Sequence, residues 1–202
     1  MSDEPARPRI YLAGPEVFLP DPVGAGARKQ ALCAAHGFEG VYPLDAGLDL
    51  SGLTKTEAAR RISLANEALM RSCDLLVANC TPFRGVSMDV GTAFEVGFMR
   101  ALGRPVLGYT NTPLDLRERS AMGRKGIDLP FDSDTDGVEI EDFGLAENLM
   151  IEIAIMESGS TLVRSAVAAG AKMTDLAGFE ACLMQAKVSP IQRMTNTPNE
   201  SS

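Results

Sequence analysis

Two carboxylates converge in the stretch SMDVGTAFEVG at residues 87–97. Asp89 precedes a helix-like run, and Glu95 falls inside that run among Phe94, Val96, Phe98, Met99 and Leu102. Burying an ionised carboxylate among apolar side chains costs several kcal/mol unless a partner or a chemical task offsets it. Two carboxylates near one helix start suit glycosyl-bond chemistry, in which one attacks carbon and the other manages a proton. Spacing leaves a second reading open. Thr92-x-x-Glu95 matches a capping box, which would turn Glu95 back onto its own backbone. A helix beginning earlier, at Asp89 or Gly91, would free it to face a sheet edge. Asp89 also fits a plain N-cap, and Asp74 a cap before a strand. Tyr11 fits either a core aromatic or a phenol that orients a carboxylate.

The elements that must hold these groups read as alternating strands and helices. Residues 9–13 (RIYLA), 40–43, 75–78 (LLVA) and 105–109 (PVLGY) are strand-like, and 161–167 is a candidate last strand. Helical patterns cover 27–35, 54–71, 91–102 and 178–187, and residues 148–156 (NLMIEIAIM) favour a helix. Residues 20–26 read as a Pro/Gly-rich loop, and 111–142 as a long polar loop and candidate lid. This alternation predicts an α/β, mainly parallel sheet with helices on both faces. Ligands of such sheets bind outside the carboxyl ends of the strands. That edge takes residues 11–16, 79–89 and the loop after Tyr109. One domain over residues 1–188 and a disordered tail over 189–202 are expected.

Composition excludes several classes. The net charge of −8 argues against a nucleic-acid partner, whose phosphates need a basic face. No apolar run reaches the roughly 20 residues of a membrane helix, and MSDEPARPR lacks a signal peptide's apolar stretch. The chain therefore reads as cytoplasmic. Cys33, Cys73, Cys80 and Cys182 form no CxxC pair, which weakens zinc and thioredoxin-like readings. Gly24-x-Gly26 lacks the third glycine of a dinucleotide fingerprint and no GK[ST] occurs, so neither a metal nor another cofactor is expected. The sole histidine, His36, fits a helix C-terminus better than a Cys/His couple.

Four blocks in this order, YLAGPEVF, CDLLVANCTPFRG, SMDVGTAFEVGFMRALG and FGLAENLM, resemble the nucleoside 2-deoxyribosyltransferase family over residues 9–156. The resemblance implies a flavodoxin-like parallel sheet and transfer of 2-deoxyribose between nucleobases, with deoxynucleosides and free bases as small-molecule partners. By position, Glu95 is similar to the family's nucleophile and Tyr11 to the phenol that orients it. Asp74 and Asp89 are similar to the pair that meets the base and handles its proton. Asn148 resembles a sugar-hydroxyl ligand that reaches a neighbouring subunit's site, which implies a homo-oligomer. Gly14, Phe18, Asn79, Gly91, Asn148 and Met150 form the candidate substrate-binding set; Phe18, Pro82 and Phe83 are candidate walls for a flat base. The chain departs from the family at Val17, where an aromatic is common, and at 43–47 (PLDAG), which lacks a glutamine used for base contact. An N-glycosidase on the same glutamate, a nucleotide-sensing module and a cysteine-dependent enzyme are the competing readings. Arg84 has no assigned role.

Overall fold

The computed structural model describes residues 6–122 and 138–188. Among these residues five parallel strands form one sheet in the order β2-β1-β3-β4-β5. They are β1 (Arg9–Ala13), β2 (Glu39–Val41), β3 (Leu75–Asn79), β4 (Val106–Thr110) and β5 (Val163–Arg164). The intervening helices are α1 (Pro22–Ala35), α2 (Lys55–Arg71), α3 (Val90–Ala101), α4 (Leu116–Met122), α5 (Leu149–Met156) and α6 (Ala177–Val188). β3 and β4 are buried at every position, as expected for parallel strands covered on both faces. Side chains alternate along β1. Tyr11 and Ala13 join the core under α2, α3 and α5, whereas Ile10 and Leu12 join the core under α1 and α6. The chain steps from β1 outward to β2, then returns beside β1 as β3. Its direction reverses between β1 and β3, so a crevice opens at their carboxyl ends, where such folds bind ligands. No helix among the described residues is long and apolar enough to cross a membrane.

Local chemistry moves several boundaries. α1 starts at Pro22, within the stretch read as loop. Asp21 caps it by accepting from Gly24 N at 2.9 Å, and proline is tolerated in the first turn, where its missing N–H has no helical partner. The candidate lid is helical in part. Asp115 and Glu118 exchange backbone bonds of 2.7 and 2.9 Å that open α4. The rest of that lid, residues 123–137, and the tail at 189–202 lie outside the described residues. β5 is only two residues long, because residues 161–167 pair with β4 only at Val163 and Arg164. α2 carries the expected periodicity, with Thr54 and Glu57 forming its capping box. Met70 is nevertheless its one buried residue, and Ile62 and Leu64 stay 41% and 55% exposed. The helix stands off the sheet and leaves a cleft beside α3.

Candidate active site

The start of α3 decides what Glu95 can do. Asp89 is its N-cap, accepting from Thr92 N at 3.0 Å and from Thr92 Oγ1 at 3.3 Å. Thr92 thus lies in the first turn and cannot cap, so the capping-box reading of Glu95 fails. Glu95 is carried into the second turn, on the flank facing α2 and the sheet. There its Oε1 accepts a 2.7 Å hydrogen bond from the Tyr11 hydroxyl of β1. Tyr11 is fully buried, so the phenol is fixed by the sheet rather than by solvent. Glu95 itself is half-buried and opens on a cleft of about 380 Å³ between α2 and α3, lined also by Ile62, Ser63, Asn66, Met70, Gly91 and Phe94.

Burial pushes the Glu95 carboxyl up to about 7. The Tyr11 hydrogen bond holds it down, the negative charges of Asp89 and Glu16 raise it further, and Lys29 lowers it. Tyr11 is raised above the ordinary phenol value by burial and by Glu95, so it stays a donor. Glu95 is therefore an anion above about pH 7, with a fixed proton donor at one oxygen and the cleft before it. An activity that needs the anion must rise with pH through that value. Tyr11→Phe removes the one hydrogen bond that favours the anion. The ascending limb of a kcat/KM profile should then move to higher pH by about half a unit to one unit, with a loss of roughly tenfold at pH 7. A limb that stays in place would remove Tyr11 from the site.

The other candidates separate by position. Asp74 is not with them. It precedes β3, at the opposite end of the sheet, where its Oδ2 accepts from Arg9 N at 2.8 Å and its Oδ1 lies 3.8 Å from Arg104. β3 runs five residues, roughly 15 Å, between Asp74 and the site edge. Asn79 reaches that edge but is fully buried. Its amide donates to Glu16 Oε1 at 2.9 Å and its oxygen accepts from Thr81 N at 3.0 Å, so both ends are engaged within the protein. Gly14 is required by close approach, since a Cβ there would meet Glu16 Oε2 at 2.0 Å. Phe18, 54% exposed, stacks on Phe83 at 5.5 Å, and the Arg84 guanidinium lies over both rings at 4.8 and 4.6 Å. Arg84 is the one non-glycine among the described residues with a left-handed φ, 57°. Asn148 caps α5 by accepting from Met150 N at 3.0 Å, and Met150 is 71% exposed. Met150 lines a groove between α3 and α5, on the flank of α3 away from the Glu95 cleft. One chain therefore does not join Met150 to Glu95.

Two buried charge networks escaped the sequence reading. Glu16, in the turn after β1, forms a fully buried ion pair with Lys29 of α1, and its Oε1 also accepts from Tyr109 OH at 3.1 Å. Lys29 was legible, because Ala25, Lys29 and Cys33 recur on one buried helical stripe. The second network joins Arg119, in the stretch read as a polar loop, with Glu147 of the FGLAENLM block, where no spacing marks the pair. The cysteine reading finds no support. All four thiols are buried, and burial pushes Cys73 up to about 11, Cys33 and Cys182 up to about 12, and Cys80 upward as well. His36 caps α1, and its Nε2 meets Glu180 at 3.0 Å, far from any catalytic thiol geometry.

Comparison with known proteins converges on one group. The family described as nucleoside 2-deoxyribosyltransferase matches residues 10–150. An uncharacterized protein of Schizosaccharomyces pombe is 30% identical over 166 residues, covering 75% of this chain and 79% of its own. A solved 2-desoxiribosyltransferase from Leishmania mexicana is 30% identical over 71% of this chain and 85% of its own, with a TM-score of 0.56. A conserved protein from Enterococcus faecalis V583 shares the fold at 20% identity and a TM-score of 0.54, over 90% of this chain and 99% of its own.

Proposed function

We propose that this chain, which belongs to the nucleoside 2-deoxyribosyltransferase family, moves 2-deoxyribose between nucleobases through a covalent Glu95–deoxyribosyl intermediate. One observation carries the reading: a carboxylate oriented by a buried phenol at 2.7 Å, open to a cleft at the carboxyl edge of a parallel sheet. Glu95 attacks C1′ from the face opposite the base, and the C1′–N bond breaks. The departing base takes a proton from the protonated Asp89 carboxyl, directly or through a water. The Asp89 carboxylate so formed takes the proton of a second base entering the emptied site, which reverses both steps. The transition state resembles an oxocarbenium ion. The negative charges of Asp89 and Glu16, which disfavour the Glu95 anion in the free site, attract the cation as it forms. A sugar lacking its 2′-hydroxyl forms the cation more readily, which favours a deoxy substrate.

Asp74 takes no part in this scheme, because of its place at the far end of β3. Gly91 flanks the cleft, and Phe18 with Phe83 offers a flat apolar wall for the base. Asn148 and Met150 serve in the proposal as contacts contributed by a second copy of the chain. Support comes from the exposed apolar side chains on these helices, Val90, Phe94, Met150 and Ile153, at 85, 57, 71 and 41% exposure. A site shared in this way also excludes water, as a glycosyl intermediate that must wait for a base requires.

Incubating the protein with a deoxynucleoside, with and without a second free base, tests the reaction class. The expected result is a new nucleoside that appears only with both present. Release of free sugar at one rate in both mixtures, with no new nucleoside, would assign the site to hydrolysis instead. Binding without any turnover would leave a sensing module.

A further inference from the structure

We infer that the buried Glu147–Arg119 pair is a positioning device for the reaction: it fixes the loop that delivers Asp89 and, through the same carboxylate, the start of α5. The inference rests on the function proposed above. Glu147 is fully buried and Arg119 is 8% exposed. Three consecutive residues of the loop between β3 and α3 are held by this one pair. Val86 O accepts from Arg119 Nε at 2.6 Å, the Ser87 hydroxyl donates to Glu147 Oε1, and Met88 N donates to Glu147 Oε2 at 3.0 Å. The next residue is Asp89. Glu147 also accepts from Asn148 N at 3.1 Å, so the residue that caps α5 hangs on the same side chain. Arg119 completes its fork on Leu114 O at 2.8 Å and Ala146 O at 2.5 Å.

A buried ion pair seldom stabilises a fold more than a packed apolar pair would, since both charges lose their water. Its distinctive property is directional. A carboxylate with four donors and a guanidinium with three carbonyl acceptors admit one arrangement of the segments that supply them. The segments so fixed are the last residues before Asp89 and the first before Asn148. Catalysis depends steeply on such placement, because a misplacement of about 1 Å far from the chemistry can cost about 10²-fold.

The test uses Ser87→Ala, which deletes one anchor and keeps both buried charges, and Glu147→Gln, which keeps the shape and removes the charge. The rate of deoxyribosyl adduct formation, followed by intact mass, should fall about tenfold in Ser87→Ala and about 10²-fold in Glu147→Gln. The melting temperature of Ser87→Ala should stay within a degree or two of the parent. A pH profile separates positioning from mere support. The charged and titratable groups acting on Glu95 are Tyr11 from β1, Glu16 from the turn after it, Lys29 from α1 and Asp89 at the start of α3. α2 faces the cleft with uncharged Ser63 and Asn66. Only Asp89 among these is tied to Glu147, so loosening it should shift the ascending limb to lower pH. Full adduct rates and an unmoved limb in a folded Ser87→Ala protein overturn the inference. If Glu147→Gln does not fold, Ser87→Ala alone decides. An unmodified parent protein that forms no adduct with any deoxynucleoside would instead overturn the proposed function.

Discussion

Glu95→Gln should form no deoxyribosyl adduct and should lose transfer by on the order of 10⁴-fold, while melting at a higher temperature than the parent at pH 8. Loss of the nucleophile removes the one carboxylate among the described residues that line the cleft. The gain in stability follows from linkage. Burial pushes the folded carboxyl up to about 7 from the ordinary 4.5, so the folded protein holds this proton more tightly than the unfolded chain. A group raised in this way lowers stability as pH climbs through the window from 4.5 to 7, and the full penalty stands above it. The shift corresponds to roughly 3 kcal/mol. Gln carries no charge to desolvate and can still accept from Tyr11. The melting gap over the parent should therefore reach several degrees at pH 8 and close near pH 4 to 5. Adduct on the Gln variant would identify another nucleophile. A melting gap independent of pH would mean the carboxyl is not held desolvated. The prediction ties chemistry to instability at one atom, as expected where an active site is strained for its task.

The scaffold was legible because its physics is local. Strands such as 9–13 and 75–78 are short apolar runs between turn signals, and in the structure they lie within a residue of those limits, as Arg9–Ala13 and Leu75–Asn79. The alternation of strands with helices sufficed to put Tyr11, Glu16 and the loop to Asp89 on one edge. What failed did so for identifiable reasons. Asp74 entered the site through the order of residues in a motif, but it stands on the amino side of its strand, a full strand length from the edge. The helix over 54–71 had the right period, yet periodicity does not reveal whether the apolar face is covered within one chain. Here Ile62, on that face, remains 41% exposed. Arg119 was invisible because a charged residue in a polar stretch reads as solvated, and Glu147 lay inside a quoted family block with no partner in view; only the tertiary fold buries the two together. Val17 and the 43–47 stretch gave a departure from the family pattern but no base preference.

Lys29→Met should lower the melting temperature by about 10 °C, a larger effect than any substitution on the exposed face of α1. Lys29 is fully buried against Glu16, which is 2% exposed, and the rings of Tyr109 and Phe179 lie 5.5 and 5.3 Å from its amine. Met fills a similar volume and packs well on both rings, so little of the loss comes from a cavity. The cost is the charge left behind. Glu16 would retain neutral donors, Asn79 at 2.9 Å and Tyr109 at 3.1 Å, both on one oxygen, in a site without solvent. Breaking such a pair costs about 3–5 kcal/mol, whereas removing both charges is close to neutral. Glu16→Gln combined with Lys29→Met should therefore recover most of the lost stability, by thermal melts of both singles and the double. A single Lys29→Met that melts with the parent would show that the buried pair carries no such weight. Recovery of stability need not bring recovery of function. Glu16 sits in the turn Pro15–Phe18 that presents Phe18 to Phe83, and its charge also acts on Glu95. The double variant should bind base more weakly, with its ascending pH limb displaced, because the pair anchors the wall of the crevice from beneath.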